Sequence, residues 1–348
     1  MSADRVRGSR PGSMLRSVDV QEVDPEDADV VRRLVQVANA VRRTDSPWEH
    51  EKTLHECQGE LRHGWDGEPS VAFLGTDGDT AVAEGEYAIS AYDNLHLARL
   101  VVEVHPEHRR KGYGTAMLDV LCARARSDGR TSVVANGWES ASTAAFAAAH
   151  GFDQKAVEIQ RRQTMGDLDH AALDRLYDDA QSHASSYELV RQLGPTPEDR
   201  LEAAAVMAAA INDAPTDDLD VEDEVYTPER VRAYELAQAG RGLLVHTVFA
   251  RHVESGELAG VTTVVVDQER PHVTEQHDTS VVRAHRGHRL GLLLKLEMIR
   301  WLRETQPQVA TVDTWNAESN DQMIGVNELL GYRVVGRALT FQRSLSST

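Results

Sequence analysis

The sequence predicts an α/β protein made of two domains of one type, each a mixed, mostly antiparallel sheet flanked by helices. Three observations carry this. Two stretches copy each other, Val104-His-Pro-Glu-His-Arg109-Arg-Lys-Gly112-Tyr-Gly114-Thr-Ala-Met-Leu118 and Val281-Val-Arg-Ala-His-Arg286-Gly-His-Arg289-Leu-Gly291-Leu-Leu-Leu-Lys295, and each follows a β-like run and opens an apolar helix. Each is then followed by a strand and a helix that end at a glycine-aromatic pair, Gly151-Phe152 and Gly331-Tyr332. The chain is 348 residues long, which suits two cores better than one.

The first domain is expected over residues 14–165. An alternating strand near Met14–Val23 opens it, after a loose polar tail at 1–13, with Met14 as an alternative functional start. A helix follows from Pro25 to Arg43. Ser46-Pro47 reads as a hydroxyl cap with proline at the first helical position, predicting a helix to Arg62. Strands near Ser70–Leu74 and Thr80–Ser90 flank a hairpin turn at Gly75–Gly78. A strand over Leu95–Val104 leads through the first glycine turn into a helix to Ala125. Strand Ser132–Asn136, an alanine-rich helix Ala141–His150 and a strand Phe152–Gln163 complete the unit.

Residues 166–186 read as a polar linker of helical composition, and 187–348 repeat the order. A strand over Tyr187–Gln192 precedes a helix from Pro195-Thr-Pro197 to Asn212, and Thr227-Pro228 caps the next helix. Strands follow at Leu243–Arg251, Leu258–Val266 and His272–Val281. The second turn launches a helix to Glu304. Strand Val309–Thr314, helix Asp321–Leu330 and strand Tyr332–Gln342 close the chain.

Composition narrows the function. A net charge of −19 argues against a nucleic-acid binder, which needs a basic face. No run approaches the length of a membrane span, and the polar, basic start is not a secretory signal. Two cysteines, Cys57 and Cys122, make no disulfide framework, and no cysteine-histidine cluster has metal-ligand spacing, so a reduced cytoplasm and no metal are expected. Against this acidic background the basic residues Arg109, Arg110, Lys111, Arg283, Arg286 and Arg289 gather in the two turns. A strand feeding a glycine-bearing turn into a helix start presents free amides and the positive end of the helix dipole, which suits a small polyanion.

The chain resembles the GNAT acyltransferase superfamily, whose acyl-coenzyme A signature is Arg/Gln-x-x-Gly-x-Gly/Ala. Arg109, Gly112 and Gly114 match it; Arg286 and Gly291 match it in the second copy, with Arg289 in the place of the first glycine. The duplicated layout, though not the residues, is similar to that of mycothiol synthase. The resemblance implies a tandem GNAT fold and acetyl-coenzyme A as acyl donor. It implies donor contacts from Val104, Arg109, Arg110, Lys111, Gly112, Tyr113, Gly114 and Thr115 in one copy. In the other it implies them from Val281, Arg286, Gly287, His288, Arg289, Leu290 and Gly291. Backbone amides near Val104 and Val281 are expected to polarise the thioester carbonyl. Asn316 and Asn320 match a position that contacts the pantetheine arm; capping of the following helix is the equal alternative.

Family bases stand eleven or nine residues before the signature arginine. These positions are Glu275 and His277 in the second copy, Ala98 and Leu100 in the first. Two residues apart on a strand means one face, so Glu275 and His277 are expected toward the cleft, with Asp278 and Ser280 pointing away. A pair of solvent-facing strand residues is the alternative. The family's acidic tyrosine is replaced by Ala147 and Asn327, of which only Asn327 can hydrogen-bond a thiol. An acidic run from Asp213 to Glu224 is read as a lure for a cationic acceptor, or as a solvated loop. The expected function is acetyl-coenzyme A-dependent transfer to a primary amine of a small molecule, catalysed in the carboxy-terminal half. A non-catalytic acyl-coenzyme A binder, an O-acyltransferase or use of a longer acyl group is the alternative. No nucleic acid or membrane partner is expected, and a homodimer is left open.

Overall fold

The computed structural model describes residues 18–345; the tail at 1–13 and the start of the first strand lie outside them. The first half runs β1 (Asp19–Glu22), α1 (Ala28–Asp45), α2 (Leu54–His63), β2 (Val71–Asp77), β3 (Thr80–Ala88), β4 (Leu97–Val104), α3 (Tyr113–Ser127), β5 (Ser132–Trp138), α4 (Ala141–Ala149) and β6 (Asp153–Thr164). The linker is a helix, α5 (His170–His183). The second half runs β7 (Tyr187–Leu193), α6 (Leu201–Ala208), α7 (Pro228–Gly240), β8 (Leu243–His252), β9 (Leu258–Asp267), β10 (Val273–Val281), α8 (Leu290–Thr305), β11 (Thr311–Ala317), α9 (Asp321–Leu329) and β12 (Arg333–Ser344).

Local chemistry explains most boundaries. Thr227 caps α7 with its hydroxyl on the Arg230 amide and Pro228 at the first helical position, as the sequence predicts. Ser46-Pro47 does not start a helix. Ser46 ends α1, and its hydroxyl donates to Glu49 at 2.7 Å. α2 begins later, where Thr53 and Glu56 form a reciprocal capping box that satisfies two backbone donors instead of one. The expected helix from Pro195 to Asn212 is only α6, extended at both ends by 3₁₀ turns.

The strands form one twelve-stranded sheet in the order β1-β2-β3-β4-β5-β12-β6-β11-β10-β9-β8-β7. The last strands are exchanged. β12 lies between β5 and β6, antiparallel to both, from Ala338 against Trp138 to Ser344 against Ser132 on one side. β6 in turn pairs with β11 of the other half, from Thr311 against Thr164 to Ala317 against Glu158. Only β4–β5 and β10–β11 are parallel, and each pairs over a few residues before diverging.

Two main cores lie under this sheet. α3 buries Met117, Leu118 and Leu121 with Tyr87, Leu100 and Phe341 in one. α8 buries Leu290, Leu293, Leu294, Met298 and Trp301 with Val264, Val312 and residues of α5 in the other. At roughly 1.5–3 kcal/mol per buried large apolar side chain, these faces dominate stability. Phe341 of β12 belongs to the first core, so the amino-terminal half is completed by a strand from the far end of the described residues. Residues 18–168 expressed alone are therefore expected to self-associate through the unpaired edges of β5 and β6. Size-exclusion chromatography of that fragment checks this, and a stable monomer would contradict it.

Candidate functional site

Both glycine turns share one backbone. A 3₁₀ turn (Pro106–His108, Arg283–His285) precedes two left-handed residues and then the helix start. The left-handed pair is Arg110 (φ 63) and Gly112 (φ 93) in one copy, Gly287 (φ 89) and Arg289 (φ 57) in the other. Each copy thus places glycine at one left-handed position and tolerates arginine at the second. Arg289 does not displace the turn, although a residue bearing Cβ there costs about 1–2 kcal/mol. Its guanidinium pairs with Asp179 of α5, so it is not directed at a ligand.

Among the described residues, the amides of Gly112, Gly114 and Thr115 and those of Arg289, Leu290 and Gly291 have no acceptor. These are the orphan donors of a helix start, and they form an anion cradle in each half. The signature arginines serve the turn itself. Arg109 Nε donates to the Val104 carbonyl at 3.1 Å and its two terminal nitrogens clamp Asp45 at 2.9 and 2.6 Å. Arg286 donates to the Val281 carbonyl at 3.1 Å and to Asp213 at 2.6 Å. Tyr113 and Leu290 are core side chains, so only their backbones face the cradle. Thr115 Oγ1 lies 3.0 Å from His150, while Arg110 is exposed and Lys111 donates to the Glu107 carbonyl.

Beyond the turns the halves diverge. β4 pairs with β3 without interruption from Arg99 to Val104. In β10 the register with β9 slips by one residue between Gln276 and Thr279. His277 and Asp278 therefore have no β9 partner, and pairing with β11 ends at Glu275–Asp313. The buried Gln276 carboxamide supports this bulge by donating to the Thr263 carbonyl at 2.6 Å and the His277 carbonyl at 3.3 Å. A bulge re-aims side chains and frees backbone groups at a functional edge. It also corrects the expected alternation, because Asp278 lines the same cavity as His277 instead of pointing away. That cavity, of ≈170 Å³, opens where β10 and β11 part, and Thr279, Lys295, Asn316 and Asn320 also line it. In the first half Phe146 of α4 stands 3.3 Å from the Cβ position of Gly114, whereas the same position at Gly291 is open.

Glu275 and His277 lie together as expected, but in different roles. The Glu275 side chain is 63% exposed and that of His277 only 6%, with Nε2 and Oε2 3.7 Å apart. Trp65 from the first half covers the imidazole at 4.4 Å between ring centroids. The Tyr234 hydroxyl lies 2.6 Å from Nδ1. Burial, and then Asp278, lifts the Tyr234 phenol well above its ordinary value, so it keeps its proton and donates to Nδ1. With Nδ1 facing the phenol, Nε2 is the ring nitrogen that faces Glu275. Contact with His277 outweighs desolvation and holds the Glu275 carboxyl below the usual glutamate range.

A model of the acetyltransferase (GNAT) family matches residues 36–152 and again 208–332. The chain belongs to that family. Among solved structures, a tandem GNAT protein from the clavulanic acid biosynthesis pathway aligns at 24% identity with a TM-score of 0.78, covering 95% of this chain and all of the other. A GCN5-related N-acetyltransferase from Sphaerobacter thermophilus aligns at 16% identity with a TM-score of 0.64, covering 95% of this chain and 96% of its own. At these identities the likeness concerns fold. No curated protein matches by sequence.

Within this tandem GNAT fold the readings of Asn327 and of the acidic run need correction. Asn327 is fully buried and spends its Nδ2 on Asn316 Oδ1 at 2.7 Å, so it orients Asn316 and is not itself exposed to the cavity. Asn320 both caps α9, accepting from the Met323 amide at 3.2 Å, and lines the cavity. The acidic run is only partly free: Asp218, Asp220 and Asp223 stay exposed while the others are engaged. Asp213 holds Arg283 and Arg286 of the second turn, Asp217 accepts from Ser319, the Asp220 amide donates to Gln342, Glu222 accepts from the Asn94 amide, and Glu224 contacts Tyr226. The loop straps the second half onto the first. Sequence reading missed Trp65 and Tyr234, which come from distant segments. It also missed Glu84 and Glu103, which oppose each other across β3–β4. Burial and the Glu103 carboxylate keep the Glu84 carboxyl protonated well above its ordinary range. Among the described residues no helix is long and apolar enough to cross a membrane.

Proposed function

We propose that the chain is an acetyl-coenzyme A-dependent N-acetyltransferase acting on a primary amine of a small molecule, with the chemistry in the carboxy-terminal half. The bulge in β10 carries this reading: it sets unpaired backbone, His277 and Asp278 on a cavity that Asn316 and Asn320 also line, with Glu275 beside His277, while β4 is straight. The cradle amides of Arg289, Leu290 and Gly291 suit the donor's pyrophosphate, and Asn316 and Asn320 suit its amide-bearing arm. The donor, when bound, supplies an activated thioester carbonyl.

The chain's own residues supply the rest. Glu275, ionised at neutral pH, accepts the amine proton directly or through one water. His277, fixed by Tyr234 and Trp65, positions that carboxylate. The half-exposed Trp65 ring with Glu275 and Asp278 favours an acceptor that arrives positively charged. In this reading the first half completes the acceptor cleft and holds the second in shape.

Thiol release measured across an amine panel tests the proposal. Glu275→Gln is expected to lower kcat by about 10²–10⁴-fold with donor affinity nearly unchanged by calorimetry. Turnover that survives Glu275→Gln but is lost in Gly112→Asp would move the chemistry to the first half.

A further inference from the structure

We propose that Lys295 is the proton donor to the sulfur that leaves during acyl transfer, the role for which neither α4 nor α9 presents a tyrosine. This rests on the placement of acyl transfer in the carboxy-terminal half. Lys295 lies on α8, five residues past its first, and lines the cavity between β10 and β11. Only 2% of the residue is exposed. Its counterpart in the first copy is Leu118, an ordinary member of the core.

A buried ammonium normally has a carboxylate beside it. Among the described residues Lys295 has none. The acids of α5, α8 and β11 near it are engaged elsewhere, Asp174 with Arg300, Asp179 with Arg289, Glu297 with Arg191 and Asp313 with Arg162, and Asp278 of β10 lines the same cavity without forming an ion pair with it. What faces Lys295 is the Tyr332 ring, 4.8 Å from Nζ to its centroid, with His277 and Asp278 among the other cavity residues. A buried ammonium without an ion-pair partner, held in a wedge between diverging strands, is placed to meet an incoming anion. Acyl transfer generates one there at each turnover.

The proton balance closes for an acceptor whose ammonium has first released one proton to solvent. The amine nitrogen bonds to the carbonyl carbon and the carbon–sulfur bond breaks with its electron pair on sulfur. The Lys295 ammonium gives its proton to that sulfur, while the amine's proton goes to Glu275. Solvent then returns the proton from Glu275 to Lys295. Burial lowers the Lys295 amine to about 7 in the unliganded site, so near neutral pH the group gives up and regains its proton readily.

The test titrates the thiol of free coenzyme A bound to the full chain by thiolate absorbance, in a Gly112→Asp background that closes the first turn. With Lys295 present, the bound thiol is expected to ionise at least about tenfold more readily than in water, a shift of one pH unit or more. In Lys295→Met that advantage is lost. Lys295→Arg keeps the charge without a transferable proton, so it should retain the thiol shift yet lose about 10²-fold in kcat. Identical thiol titration in wild type and Lys295→Met, or wild-type turnover in Lys295→Arg, overturns the proposal. Absence of any coenzyme A binding in the Gly112→Asp background would instead remove the placement of the donor in the second half, and the proposal with it.

Discussion

Lys295→Met should make the protein more stable, by roughly 3–5 kcal/mol at pH 6, where core substitutions ordinarily cost stability. The unfolded chain binds a proton at this lysine below its ordinary value near 10.5, whereas burial delays that binding in the folded chain to about 7. Between those pH values the unfolded state holds more protons, so stability falls as pH drops from 10.5 to 7 and levels off below. At about 1.4 kcal/mol for each pH unit of that gap, the penalty approaches 5 kcal/mol. Methionine fills a similar volume without the charge. Denaturant unfolding at pH 6 and pH 9.5 checks this: the variant's advantage should be large at the first and much smaller at the second. A variant less stable at both would mean that the ammonium is well solvated in its cavity. The gain would come with lost turnover, as is common where a strained group serves chemistry.

The second large effect lies at the junction of the halves. Arg230 of α7 is buried and donates to Asp66 at 2.8 Å and Asp93 at 2.6 Å, two carboxylates of the first half. The Tyr92 and Tyr226 rings flank it at 4.8 and 5.1 Å. Arg230→Met strands both carboxylates without a counter-charge, and a loss of about 3–5 kcal/mol is expected. Although burial opposes it, Asn94, the Val225 amide and Arg230 together hold the Asp93 carboxyl below the usual range. Its stabilising share is therefore complete above pH 4 and disappears as pH falls through the lowered value. Thermal unfolding of the single variant and of Arg230→Met/Asp66→Asn/Asp93→Asn separates the two contributions. The triple variant should recover part of the loss, and a single variant as stable as wild type would show that water already shields the pair.

The turns, the long apolar helices and the strand order along the chain were legible because each is set by neighbours in sequence. α8 follows its turn wherever the rest of the chain lies. The start of α2 was misread because a serine-proline pair and a threonine-glutamate capping box compete within eight residues, and only the second satisfies both ends of the exchange. The bulge in β10 left no trace, since a residue dropped from one ladder changes no residue type. Trp65 and Tyr234 reach His277 from different halves, which one sequence does not reveal. Lys295 was visible in principle. Alignment of the two turns sets it opposite Leu118, and a charge in an apolar helix face is informative once that face is known to be buried.

The exchanged strands have a consequence for how the molecule is made. The piece that finishes the amino-terminal half, β12, is made after every other described strand, so folding of that half on the ribosome waits with a gap beside β5. A nascent chain in that condition is open to partners and to chaperones until β12 has emerged. For the same reason neither half can be cut free by a gene truncation without leaving the survivor incomplete, which ties two duplicated units into a single heritable object.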